Sequence, residues 1–450
     1  MDIKIRRIII LIFAILFFIS APILILYASG FRYDIKRQKL IKTGNIFLET
    51  QGQSNITISL NNAKIDQELN KKAFIKNVIP DTYTISLEKP GYFPWQKKLA
   101  VYPSITTFAT EILLFAQAKP QILSELPVEK IYLSPDGKNI VFTTNNDGLV
   151  EINRISLANP TPQLIYRLTE NSNSKIQWTP SGEFLSITDE TKTTLIENTS
   201  NPDLITIPHL ITTPLLSQTS FEKKIYFVEK NKILDYSIID KNSKTIYTSK
   251  GVLNQSISVV NDKIYFLETS KNSTNLMSVT IGNQVTPTII ATLPSNQTLG
   301  IEQIYKKYAI IKQPQTNSLT LVTLPTNNNS LNLKSDIITL DGQKIYISPK
   351  EDKLIIQNDF ELHLLDLNTN SISIIERSSE VLKSAQWHPD GIHIIITKNS
   401  GITISDTSQN QEVENIKITD ENVKIIDSAL LDEDTIIYSN KSGLFIQELY

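Results

Sequence analysis

The chain has 450 residues, 40% hydrophobic and 20% charged, with a net charge of −2; this is globular composition, long enough for two or three domains, and it excludes an intrinsically disordered chain. Lys and Arg (44) nearly balance Asp and Glu (46), so the whole carries no electrostatic signature of nucleic-acid binding. Cysteine is absent, which excludes disulfides, thiolate catalysis, Cys-ligated zinc and iron–sulfur clusters and leaves the compartment open.

The charge is unevenly spread. Residues 1–120 hold 16 Lys+Arg and 8 Asp+Glu, and the remainder holds 28 and 38. A basic proximal part and an acidic distal part fit a protein seated on an anionic surface, although drift in a Lys-rich sequence gives the same imbalance.

Lys4, Arg6 and Arg7 precede Ile8 to Ala28, a stretch without a charged residue. Its length matches the hydrocarbon thickness and exceeds the usual core of a cleaved leader, so residues 1–30 read as an uncleaved signal anchor and transmembrane helix. The alternative is cleavage near Ala28-Ser29-Gly30. Residues 31–42 read as a basic juxtamembrane linker. Its Arg32, Lys36, Arg37, Lys39 and Lys42 pull the following chain toward the cytoplasm, while the short basic tail and the domain that follows point outside.

From 43 to 117 the pattern is of short strands: Asn45 to Thr50, Ile56 to Leu60, Tyr83 to Leu87, Gln96 to Val101 and Thr106 to Leu114. Alternation such as Tyr83/Ile85/Leu87 against Thr84/Ser86/Glu88 gives one buried and one wet face and predicts a small antiparallel β-sandwich. The run Leu87-Glu88-Lys89-Pro90-Gly91-Tyr92-Phe93-Pro94-Trp95, entered from Ile79-Pro80-Asp81, resembles the second half of a PEGA domain; the first half departs, with only Gly52-Gln53-Ser54-Asn55 at the naming turn. The resemblance covers about 70 residues and implies an extracytoplasmic, non-catalytic sandwich of a surface protein. Tyr92, Phe93 and Trp95 are candidates for an aromatic platform for sugar or wall polymer, with packing of the sandwich as the competing role.

Residues 118–450 carry a repeat. Ser134-Pro135-Asp136-Gly137, Trp178-Thr179-Pro180-Ser181-Gly182, Ser348-Pro349-Lys350-Glu351 and Trp387-His388-Pro389-Asp390-Gly391 each have a large apolar residue two places before proline (Leu133, Trp178, Ile347 and Trp387) and precede an apolar run. Proline presets φ and glycine accepts the positive φ of the turn, so each copy reads as strand, turn, strand. The prolines are 45, 169 and 40 residues apart; the long gap is about four periods of ~42 residues, which places degenerate copies at Ile225 to Val228, Ile264 to Leu267 and Tyr308 to Ile311. An eighth copy turns at Asp432-Glu433-Asp434. It has three strands of its own, and Pro120 to Leu126 supplies the fourth. The turn resembles that of TolB-like and other WD-type β-propeller repeats over about 330 residues. The fold class is therefore mainly β: a transmembrane helix, a PEGA-like sandwich and an eight-bladed propeller, or seven blades if 301–342 is an insertion. Pro135, Asp136, Gly137, Trp178, Pro180, Gly182, Pro349, Trp387, Pro389, Asp390 and Gly391 are the structural parts of the repeat.

No catalytic, metal or cofactor motif is present. His209, His363, His388 and His393 form no zinc-binding spacing, and His388 and His393 straddle a turn, where exposed imidazoles are expected. Glycine is scarce, at 14 residues, which weighs further against phosphate cradles. The acidic clusters Asp432-Glu433-Asp434 and Asp420-Glu421 read as solvated loop charge. The expected function is that of a non-catalytic membrane-anchored surface protein. Its propeller binds a protein, peptide or envelope polymer, the sandwich is a spacer or envelope contact, and no cofactor is required. Two alternatives stay open: a propeller hydrolase or lyase, which needs several Asp, Glu, His or Arg converging on one channel mouth, and a cytoplasmic membrane-tethered scaffold.

Overall fold

The computed structural model describes residues 3–35, 37–169, 174–189, 192–207, 215–216, 224–260, 262–271, 273–282, 286–293, 299–305, 307–313, 318–325, 337–407, 415–420 and 423–450. His209 and Glu421 lie outside them. The chain divides into two compact units, one built on Met1–Lys119 and the other on Pro120–Thr407 with Lys417–Gln447.

The smaller unit opens with a helix, Ile3–Ala28, which runs through Pro22 without ending. The helix is apolar on every side and its side chains are exposed, Phe18 by 75%; a helix of this composition needs an apolar surround. The stretch expected as a linker is instead a hairpin, Phe31–Asp34 paired with Lys39–Lys42, whose turn is made by Gln38 at φ +50°.

Two sheets follow. One has the order Lys72–Val78, Gly44–Thr50, Thr106–Ile112; the other Ala63–Leu69, Ile56–Leu60, Thr82–Glu88, Trp95–Ala100. Gly44–Thr50 and Thr106–Ile112 run parallel, so the sandwich is mixed rather than wholly antiparallel. Alternate residues Ile46, Leu48, Ile56, Ile58, Ile85 and Leu87 are fully buried in one core between the sheets. Gly44 is required there because a Cβ would run into the Tyr102 carbonyl.

The larger unit consists of eight four-stranded antiparallel sheets among the described residues. The first is Lys130–Leu133, Asn139–Asn146, Leu149–Ser156 and Asn159–Thr169. Six more follow in the same sequential order, beginning at Lys175–Trp178, Leu215–Leu216, Val252–Val260, Gly300–Tyr305, Lys344–Ile347 and Leu382–Trp387. The described strands between 300 and 341, Gly300–Tyr305, Tyr308–Gln313, Ser318–Thr323 and Ile337–Asp341, thus form a sheet of their own. The eighth takes Asp427–Leu430, Thr435–Asn440 and Gly443–Glu448 from the end of the chain and Gln121–Ser124 from its beginning.

Second strands are buried on both faces, which is why they read as unbroken apolar runs. Ile140 and Phe142 pack with Ile437 and Leu444 of the eighth sheet, while Val141 between them packs with Leu185 and Ile187 of the second. The first strand of the first sheet touches that of the second and that of the eighth, and the same contact joins the third to the fourth, the fourth to the fifth, and the sixth through the seventh to the eighth. First strands therefore form an inner ring.

Candidate functional site

The turns at one end of the inner ring share one construction. The fourth residue donates to the first carbonyl in each copy: Gly137 to Ser134 (2.9 Å), Gly182 to Thr179 (2.9 Å), Glu351 to Ser348 (2.9 Å) and Gly391 to His388 (3.0 Å). All four have φ between +58° and +71°, a region that costs a non-glycine residue about 1 kcal/mol. The tryptophans tie sheet to sheet: Trp178 Nε1 donates to the Tyr132 carbonyl (3.1 Å) and Trp387 Nε1 to the Tyr346 carbonyl (2.9 Å).

The first residue of the turn is a buried hydroxyl in three copies and His388 in the fourth. His388 and His393 are 1% and 4% exposed, so the expectation of solvent-facing imidazoles is overturned. Both rings turn Nδ1 to Asp390 Oδ2, at 3.1 and 2.6 Å, and His388 Nε2 faces the Glu433 carbonyl at 2.8 Å. Asp390 Oδ1 accepts from the Ile392 and His393 amides (2.8 and 3.0 Å). Burial works against the His388 charge, but the Asp390 carboxylate and the Glu433 carbonyl outweigh it and raise its pKa. Burial also opposes the Asp390 charge, and the two imidazoles outweigh it, holding the carboxyl well below its usual range. Among the described residues these are the His and acidic side chains close enough together to share a cation. A proton on His388 already satisfies both of its nitrogens, so the cluster reads as the pin of a turn.

The opposite end of the inner ring is basic. Lys130, Lys175 and Lys344 each stand five residues before the turn proline, pair directly across from Thr143, Thr188 and Gln357, and are exposed. Lys383 comes one residue earlier in the seventh sheet, at a bulge between Leu382 and Ser384. Its Nζ donates to the Ile425 and Ile426 carbonyls (2.6 and 3.0 Å), and burial lowers its pKa while Asp427 and Glu380 oppose that. Asp427 follows on the next strand; burial raises its pKa against the pull of the Ile131 and Ser428 amides and of Lys130 and Lys383. Consecutive strands from the sixth sheet round to the second thus carry four lysines and one aspartate. Across the described first strands the only other charge is Glu302. This ring is positive within a stretch that holds 28 Lys+Arg and 38 Asp+Glu.

Of the aromatic candidates, Trp95 is 4% exposed and lies in the sandwich core, Tyr92 packs against that core under Lys89 (4.3 Å), and Phe93 is half-buried. The aromatic row that faces outward is different. Phe74, Phe47 and Phe108 stand in direct register across three strands, with ring centroids 6.5 and 5.6 Å apart. Its signal in the sequence is an aromatic at a wet position of each strand. The acidic residues Asp432, Glu433 and Asp434 are exposed, as is Asp420. His363 is partly exposed, with Nε2 3.0 Å from Glu361 Oε2.

No protein-family model matches the chain, and no curated protein does. Among solved structures, that of the Dos1 propeller superposes with a TM-score of 0.52 at 13% identity over 74% of this chain and 96% of that one. The larger unit has a β-propeller fold. The C-terminal WD40 domain of Sif2 gives a TM-score of 0.49 at 13% identity, covering 74% of this chain and 98% of that domain. An oligogalacturonate lyase from Vibrio parahaemolyticus gives 0.43 at 10% identity, covering 65% of this chain and 94% of the lyase. These likenesses concern the fold of the propeller.

Proposed function

We propose that the chain is a non-catalytic, membrane-anchored binding scaffold. An eight-bladed propeller is held outside the cytoplasm by an uncleaved N-terminal span and a PEGA-type envelope sandwich, and it takes an acidic protein segment at the lysine end of its inner ring. One observation carries the reading: Lys130, Lys175 and Lys344 recur at the same position of three first strands, facing solvent, in an otherwise acidic part of the chain. Lysines converging at one mouth attract carboxylates, and a field opposite in sign to the surrounding surface favours one orientation of approach.

The test uses the full chain and a fluorescein-labelled oligoglutamate peptide. The wild type is expected to bind it at low ionic strength and lose it as salt is raised. The triple variant Lys130→Glu, Lys175→Glu, Lys344→Glu is expected to weaken binding by about tenfold or more. Equal affinity of the two chains overturns the reading. Its location is checked with Asn146→Cys, an exposed position, and a membrane-impermeant maleimide; labelling confined to lysed cells moves the scaffold to the cytoplasm.

A further inference from the structure

The end of the smaller unit where the helix enters is unusually apolar for a wet surface. Tyr33 and Leu40 stand directly opposite each other in the hairpin, 59% and 50% exposed, and Ile35 at its tip is 82% exposed. Tyr102 and Ile105, in the loop before Thr106–Ile112, are 58% and 55% exposed. The other side of the hairpin is tied down: Asp34 is buried, and Arg37, ion-paired to it at 3.4 Å, donates to the Pro80 carbonyl at 2.8 Å.

These residues are held beside the end of the helix by short links. Arg32 lies over the Tyr27 ring at 3.6 Å and donates to the Tyr27 carbonyl at 2.9 Å. The Thr43 amide donates to the Gly30 carbonyl (2.9 Å), the Ser104 amide to Thr43 (2.9 Å) and the Asn45 amide to Ile105 (3.0 Å). Two hydrogen bonds therefore separate Ser104, between Tyr102 and Ile105, from the turn that ends the helix. Two residues, Ser29 and Gly30, separate Ala28 from Phe31, a reach of roughly 10 Å at most. Arg37, Lys39 and Lys42 are exposed around the same end.

We infer that this end of the unit is a membrane-interface surface: the hairpin face Tyr33–Leu40, the tip residue Ile35 and the loop residues Tyr102 and Ile105 rest in the headgroup layer of an anionic bilayer. The inference rests on reading Ile3–Ala28 as a span. The occupant follows from composition and continuity. Tyrosines with aliphatic side chains beside Lys and Arg are what the interface of a lipid bilayer accepts, and the patch is hydrogen-bonded to the terminus of a helix that is apolar all round. The hairpin thereby fixes the tilt of the unit on the membrane instead of leaving it on a flexible tether.

The absence of native cysteine makes the test direct. Single-cysteine variants Ile35→Cys, Ile105→Cys, Ile15→Cys in the helix and Asn146→Cys are nitroxide-labelled in the full chain, reconstituted in vesicles of phosphatidylcholine and phosphatidylglycerol. Power saturation then compares collision with oxygen, which concentrates in lipid, and with a water-soluble nickel chelate. The expected result is a several-fold higher oxygen-to-nickel ratio at 35 and 105 than at 146, with 15 higher still. Labels at 35 and 105 that match 146 while 15 lies in lipid overturn the inference and leave the span standing. All four in water overturn the span as well. Labels at 35 and 105 shielded from both reagents mean a protein partner, such as a second copy, and also overturn it.

Discussion

Asp427 Oδ2 accepts the Ile131 amide at 2.9 Å across 296 residues of sequence. The same job is done between the fourth and fifth sheets by Ser256, whose Oγ accepts the Ile301 amide at 2.8 Å. Where the ring closes, a longer carboxylate stands in place of a hydroxyl. Asp427→Ala leaves the Ile131 amide without its acceptor, which costs about 1–3 kcal/mol for a buried donor. The expected result is a lower denaturation midpoint by urea titration, with Asp427→Asn between the two; a variant as stable as wild type would show that water replaces the carboxylate.

Glu351 holds φ +58° where the other three turns have glycine. Glu351→Gly is expected to stabilise by about 1 kcal/mol, since the left-handed region penalises a Cβ. Gly391→Ala is expected to destabilise, because a Cβ there meets Lys350 Cγ at 3.2 Å and φ is +70°. Thermal melts of both variants read opposite signs if the turn geometry is as described.

The His388–Asp390 pair gives stability a defined pH window. The His388 pKa is raised from 6.5, so its contribution is full below that value and lost as pH rises through the folded one. The Asp390 pKa is lowered from 3.8, so its contribution is full above that value and lost as pH falls through the folded one. Melting temperature should decline as pH rises above 6.5, and His388→Gln should flatten that decline. An unchanged slope in the variant would place the titrating group elsewhere.

Gly443–Glu448 lies between Thr435–Asn440 and Gln121–Ser124. Ending the chain at Ser442 removes two ladders at once and strands Gln121–Ser124 without a partner. The expected outcome is loss of the cooperative thermal transition by circular dichroism, whereas substitutions in the exposed turn Asp432-Glu433-Asp434 leave it in place.

The propeller was legible where local chemistry repeats. Ser134-Pro135-Asp136-Gly137 and its relatives announce a turn because Pro and Gly restrict φ residue by residue, and the open fourth-strand position of the last unit pointed to Pro120 to Leu126 by counting edges. Elements with mixed patterning escaped. Ala63–Leu69 carries Lys64, Asp66, Gln67 and Glu68 on an edge strand with little burial, so no alternation marks it. The hairpin at 31–42 is charged at half its positions, and the bond from its Arg37 to the Pro80 carbonyl spans 43 residues, which no local pattern marks. The lysine ring left no motif at all: Lys130, Lys175 and Lys344 become neighbours of one mouth through ring closure, which sequence spacing shows only after the turns are superimposed. The buried imidazoles ran against a general tendency of turn residues because Asp390 compensates two of them at once.

Completing the eighth sheet with Gln121–Ser124 also sets a timetable. That strand leaves the ribosome 319 residues ahead of Gly443, the start of the strand it pairs with, roughly 15 to 60 s earlier at ordinary synthesis rates. Through that interval its backbone edge has no mate and the ring is an open arc. If the chain is threaded across a membrane as it is made, the last residues must arrive on the far side before the circle can shut, so the nascent protein depends on holding one short segment unpaired and soluble until then.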